Sequence, residues 1–177
     1  MKAYDRFYEL ASGNFGLATA SEAKELGISV RELRRWVESG RLESPARGVY
    51  RISNFPASQF DDFATAVESV GRDAYLYGES VLAMLNLTTT NPTWIYVSTP
   101  RRVRKHLPSN IVLCQDSDAS NPEYYEGVRS QKVAKAIEAA QATVRPDRLL
   151  SAIDKGRRIG YVNDAEAKKL RKALRTP

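Results

Sequence analysis

The sequence predicts an α+β fold in two parts. Helices closed by a β-hairpin occupy residues 1–54, and a small mixed-sheet α+β domain with C-terminal helices occupies residues 55–177. Three observations predict it. Apolar residues recur at helical spacing in three stretches of the first forty residues. Capping residues and glycines punctuate those stretches into short helices. Beyond them, β-branched and aromatic runs alternate with further helical ones.

A chain of 177 residues suits one large or two small domains, and 42% hydrophobic residues suffice for a core. The formal charge of +6 weakly favours nucleic acid or an acidic surface as partner. Its distribution says more. Residues 1–52 hold 9 Lys+Arg against 7 Asp+Glu, residues 53–144 hold 8 against 10, and residues 145–177 hold 10 against 4. The positive charge therefore sits at the two ends. The single cysteine, Cys114, lies in an apolar run, which excludes an internal disulfide and reads as a buried structural thiol. No apolar run approaches the ~20 residues of a membrane span. The start lacks a signal-peptide core, so a cytoplasmic protein with no membrane partner is expected.

Residues 3–12 read as an amphipathic helix with Tyr4, Phe7, Tyr8, Leu10 and Ala11 on its apolar side, ended by Gly13-Asn14. Phe15 to Ala18 reads as a short extended link. Thr19 and Glu22 form a capping box for a helix to about Leu26, stopped by Gly27. Ser29 and Glu32 repeat the device for a helix that ends at Gly40. At about 100° per residue, Val30, Leu33, Trp36 and Val37 gather on the core side of this helix. Arg31, Arg35 and Glu38 point the opposite way, with Arg34 on the flank.

Helix, glycine turn, helix is the pattern of a helix-turn-helix. A generic helical hairpin with solvated arginines fits the same pattern. The segment after Gly40 weighs against that alternative. Leu42 and Val49 to Ile52 read as two short strands, with Pro45 to Gly48 as the hairpin tip. A helix-turn-helix joined directly to a β-hairpin is a winged helix, a DNA-reading module whose second helix enters the major groove. Arg31, Arg34 and Arg35 are the candidates for base edges, since bidentate arginine to guanine is the commonest specific contact. Arg41, Arg47 and Arg51, with Thr19 and Ser29 at the helix starts, are the candidates for the DNA backbone.

The run Phe15 to Ala20, then Ala23, Glu25 to Ser29, Leu33, Val37, Gly40-Arg41-Leu42 and Arg47-Gly48-Val49-Tyr50-Arg51 resembles the N-terminal winged helix of AbiEi-type antitoxins. The similarity is strongest over residues 15–52. It implies a transcriptional regulator of a type IV toxin–antitoxin, abortive-infection operon, acting in phage defence. It further implies an autorepressor on inverted repeats upstream of its own operon. A winged helix reads one half-site, so two copies are expected on a palindrome, and since no unburied apolar helix face asks for a partner, a monomer is expected in solution. The toxin implied is nucleotidyltransferase-like, and the antitoxic activity resides in the C-terminal domain. Neutralisation by direct protein contact remains an alternative.

In the second domain, residues 58–70 read as a helix, 74–77 as a strand and 78–85 as a helix. Residues 94–97 and 111–114 read as strands, and 128–143 as a helix. Pro146 starts a further helix, and Asn163 with Glu166 caps the last one, whose apolar side carries Ala167, Leu170 and Leu174. Arg101, Arg102, Arg104 and Lys105 form a basic cluster beside His106, the only histidine. With Lys168, Lys169, Arg171 and Lys172 of the tail they are candidates for a second basic patch. A solvated surface explains both groups equally well.

An enzyme is not expected. Glu22-Ala23-Lys24 and Glu166-Ala167-Lys168 have a nuclease-like Glu-x-Lys spacing but lie on helices without a preceding Asp. Asp116 and Asp118 come after a strand as nucleotidyltransferase metal ligands do, yet lack the usual Gly-Ser before them and read as a turn. One histidine and one distant cysteine build no zinc site. With no Gly-rich phosphate loop and no Gly-x-Ser-x-Gly, no cofactor or metal is expected.

Overall fold

Helices α1 (Ala3–Ser12), α2 (Ala20–Glu25) and α3 (Val30–Glu38) alternate with strands β1 (Leu17–Thr19), β2 (Leu42–Ala46) and β3 (Val49–Ile52) in the N-terminal segment. The computed structural model describes residues 2–89, 93–116 and 121–175. They form two units, Met1–Arg72 with Arg102–Ser109 and Asp73–Arg101 with Asn110–Pro177.

In the first unit, α2 and α3 are built by one local grammar. Thr19 and Ser29 close capping boxes with Glu22 and Glu32. The residue before each cap and the fourth residue of each helix are buried in one cluster: Ala18 with Ala23, and Ile28 with Leu33. These are the positions of a hydrophobic staple. Each helix ends on a left-handed glycine, Gly27 and Gly40, both at φ +74°. The next amide then reaches back, from Ile28 to Ala23 at 2.9 Å and from Arg41 to Trp36 at 2.9 Å.

The sheet is antiparallel in the order β1-β3-β2, with Leu17 opposite Arg51 and Leu42 opposite Ile52. Leu17 and Ala18, expected in a short extended link, form a strand with the cap residue Thr19, because β3 supplies partners from about thirty residues away. Pro45, expected at the hairpin tip, lies inside β2. That strand is an edge, and its register shifts between Glu43 and Ala46, a place where a missing amide donor is tolerated. The tip is only Arg47-Gly48. The core holds Phe7, Ala11, Ile28, Leu33, Trp36, Leu42, Tyr50 and Ile52. This is a winged helix.

The first unit extends past residue 54. Helix α4 (Asp61–Val70) packs on β1, β2 and β3, and starts at Asp61 rather than 58. Arg51 of β3 ties it down, donating to Asp61 at 3.0 Å and to the carbonyls of Phe55 and Pro56 at 3.4 Å.

The second unit holds a five-stranded mixed sheet, with β4 (Tyr75–Leu76), β5 (Ile95–Ser98), β6 (Ile111–Cys114), β7 (Glu123–Tyr125) and β8 (Val128–Ser130). Their order is β6-β5-β4-β8-β7; β5–β6 and β4–β8 are parallel and the other pairs antiparallel. Helices α5 (Glu79–Met84), α6 (Val133–Ala139), α7 (Pro146–Ile159) and α8 (Asp164–Arg175) complete it. The expected helix from residue 128 begins only at Val133, since residues 128–130 pair with β7 across a two-residue turn, Glu126-Gly127. Both turn residues have positive φ, 52° and 83°. Among the described residues no helix is long and apolar enough to cross a membrane.

The two glycines Gly16 and Gly27 separate two causes of glycine dependence. Both have φ +74°. A Cβ on Gly16 would lie 2.6 Å from the Phe55 ring, whereas on Gly27 it would meet nothing within 4 Å. Gly27→Ala is expected to cost roughly 1–2 kcal/mol of backbone strain. Gly16→Ala should exceed it by roughly 1–3 kcal/mol of overpacking. Urea unfolding of the two variants side by side checks the difference.

Candidate nucleic-acid interface

Trp36 sets the rotation of α3. It is buried, with Tyr4 edge-on at 5.2 Å and Phe7 at 5.8 Å between ring centroids. Leu33 is buried beside it in the same cluster. With these two residues inward, helix geometry turns Arg31, Arg34 and Arg35 outward, and all three are exposed. None of their guanidinium groups makes an ion pair or a hydrogen bond among the described residues. Arg47, at the hairpin tip, is likewise exposed and unpaired. Arg41 is exposed with its guanidinium 5.3 Å from the centre of the Tyr4 ring, a cation–π contact.

Not every expected backbone contact is presented to solvent. The side chain of Arg51 is only 15% exposed, and its partner Asp61 21%. Its guanidinium is committed to α4 and the segment before it. Thr19 and Ser29 spend both their amides and their hydroxyl protons on carboxylates, at 2.8 and 2.7 Å to Glu22 and at 2.9 and 2.8 Å to Glu32. These residues start the helices. The Ser29 amide and then its hydroxyl hold the Glu32 carboxyl below its ordinary value of 4.5, aided by the Arg35 and Arg6 charges.

Val30 departs from expectation. Placed by periodicity on the core side of α3, it is 50% exposed. The inward places at that end of the helix are taken by Ile28 and Leu33. A staple signature, Ile28 before the cap and Leu33 four residues into the helix, was the sequence signal that frees Val30 from the core.

The basic cluster at 101–105 is divided between the units. Arg101 pairs with Asp73, while Arg102 and Arg104 are exposed and Lys105 is half-buried. Burial lowers the Lys105 pKa, opposed by Glu68. In the tail, Lys169 reaches Glu138 at 3.6 Å and Arg171 pairs with Asp154. Lys168 and Lys172 are exposed. Leu174 is half-buried on α8, beside buried Ala167 and Leu170.

The carboxylates considered for catalysis have other partners. Glu22 caps α2. Glu166 accepts from the Asn163 amide at 3.0 Å and pairs with Lys132 at 3.0 Å. Asp116 accepts from the Tyr75 hydroxyl at 2.8 Å and from Gln131 at 3.3 Å. Burial, ahead of that carboxylate, pushes Tyr75 up to about 12. Asp118 lies outside the described residues. Cys114 is half-buried, and burial raises its pKa, which favours the unreactive thiol. Among the described residues no group of three His, Cys, Asp or Glu is placed to hold a metal ion.

The Glu32 cap gives a pH signature. Its folded pKa lies below the unfolded value, so its contribution is present above about 4.5 and lost as pH falls through the folded value. Glu32→Gln keeps the capping-box hydrogen bonds but not the charge. The stability difference between wild type and Glu32→Gln should therefore favour wild type at pH 6 and shrink as pH falls below about 4.5 and through the folded value. Chemical denaturation across that range measures it.

No curated protein matches the chain. A family model described as transcriptional regulator, AbiEi antitoxin, matches residues 5–53. That segment spans α1 to β3, from the helix that holds Trp36 to the end of the hairpin. The N-terminal winged helix of this chain is thus similar, over residues 5–53, to the AbiEi antitoxin family of transcriptional regulators.

Proposed function

We propose that the chain is a DNA-binding autorepressor and antitoxin of a type IV toxin–antitoxin operon. In this reading α3 enters the major groove of an inverted repeat upstream of the operon, one copy on each half-site. Arg31, Arg34 and Arg35 read base edges, and Arg41 and Arg47 contact phosphates. The observation that carries it is the set of unpaired guanidinium groups on the exposed face of α3, within the segment that matches a transcriptional regulator family. An arginine without an intramolecular partner loses no ion pair on meeting DNA. Arg51 is left out of the contacting set, because its release would cost the Asp61 bridge.

The test is a titration of the purified protein against a labelled fragment from upstream of its own gene, with scrambled DNA as control. Each good bidentate contact discriminates by about 1–3 kcal/mol. The Arg31→Ala/Arg35→Ala variant should lose the preference for the native fragment by a factor on the order of 10² or more. Arg47→Ala should weaken both DNAs alike and flatten the salt dependence by about one phosphate contact. Equal binding of both DNAs by the wild type overturns the reading.

The second unit is proposed to counteract a nucleotidyltransferase-like toxin. Co-expression with the toxin encoded in the same operon separates the two roles. The Arg31→Ala/Arg35→Ala variant is expected to restore growth as wild type does while failing to repress a promoter reporter. A variant that loses both activities together would count against a division of labour between the units.

A further inference from the structure

Val30 opens α3 and stands half exposed, at 50%. Its neighbours in the staple, Ile28 and Leu33, fill the inward places. Half of Val30 is left to solvent, and a β-branched residue forms helix less well than alanine. Its company bears on what that exposed half can touch. Arg31 is the next residue, and Arg34 lies one turn on, about 40° around the helix. Both are exposed with unpaired guanidinium groups. Val30 thus forms an apolar edge to the arginine face, at the end of the helix where a groove-reading helix touches bases. Glu32, the acid of this first turn, is bonded back onto Ser29. The major-groove edge of the base pairs carries one apolar group, the 5-methyl of thymine. Valine suits it, since two methyl groups on a Cβ with few rotamers lose little freedom on contact.

We propose that Val30 is a specificity-determining residue that packs on the 5-methyl group of a thymine in the half-site read by α3. The assignment rests on the recognition-helix reading above and adds an apolar contact to it.

The probe is the DNA duplex that the full-length protein selects from a random pool. Each thymine of one half-site is replaced in turn by deoxyuridine, which keeps the pairing and removes only the methyl group. One replacement is expected to weaken wild-type binding by about fourfold, the value of one buried methyl. Val30→Ala should weaken binding to the thymine duplex by a similar factor and be indifferent to that replacement, so that the two changes do not add. Val30→Ala should also melt no lower than wild type, which separates lost contact from lost folding. The assignment is overturned if no replacement affects the wild type, or if Val30→Ala stays as sensitive as the wild type. Arg31→Ala/Arg35→Ala is run beside it. If that variant still selects the same duplex, the recognition-helix reading fails and the assignment with it. If it loses the duplex while no thymine matters, only the assignment of Val30 fails. A pool that yields no selected duplex overturns both.

Discussion

The packing of Trp36 against α1 is the constraint on which the arginine face of the first unit depends. A helix of nine residues is marginal by itself, and its rotation must be set by what it buries. Here one indole does most of that. It meets Tyr4 and Phe7 edge-on, an arrangement that aromatic quadrupoles favour and that tolerates little rotation. The Tyr4 ring that flanks Trp36 also carries the Arg41 guanidinium. One aromatic cluster thereby orients α3 and steadies a cation just beyond its end.

Two groups of arginines contrast in this chain. Those of α3 and the hairpin tip stand in water without ion-pair partners among the described residues. Arg51, Arg72, Arg101, Arg145, Arg157 and Arg171 are engaged by carboxylates of their own unit. Exposed pairs of this kind contribute little to stability, typically below about 1 kcal/mol. They nevertheless compensate charge where it stands, so the net positive charge of the tail overstates what the tail offers to an anion. The balance near α3 runs the other way, because Glu32 spends its hydrogen bonds on the cap and bridges no arginine of that helix.

The helices of the first unit were legible because their signals are local. Capping box and closing glycine fall within a dozen residues, and the structure places them as the spacing does. What escaped was non-local. Residues 17–19 become a strand only through β3. The β7–β8 hairpin turns on Glu126-Gly127, where a glutamate takes the positive φ that asparagine or aspartate would have advertised. Without that hairpin, the helical periodicity of residues 133–140 ran backwards into residue 128. At the interface, the exposed arginines followed from periodicity alone. The commitment of Arg51 to Asp61 required knowing that α4 packs on the wing. The exposure of Val30 followed from a staple that periodicity overlooks.

The chemistry of the presented face has a consequence for control. Residues 1–52 contain no histidine and no cysteine. Arginine keeps its proton at any pH a cell reaches, and the Glu32 capping carboxyl is held below its ordinary value. A surface so composed has no group through which mild acidification or an oxidant can act on it directly. DNA binding of the kind proposed for this face would answer to ionic strength and to protein concentration, not to the titration of one of its own side chains.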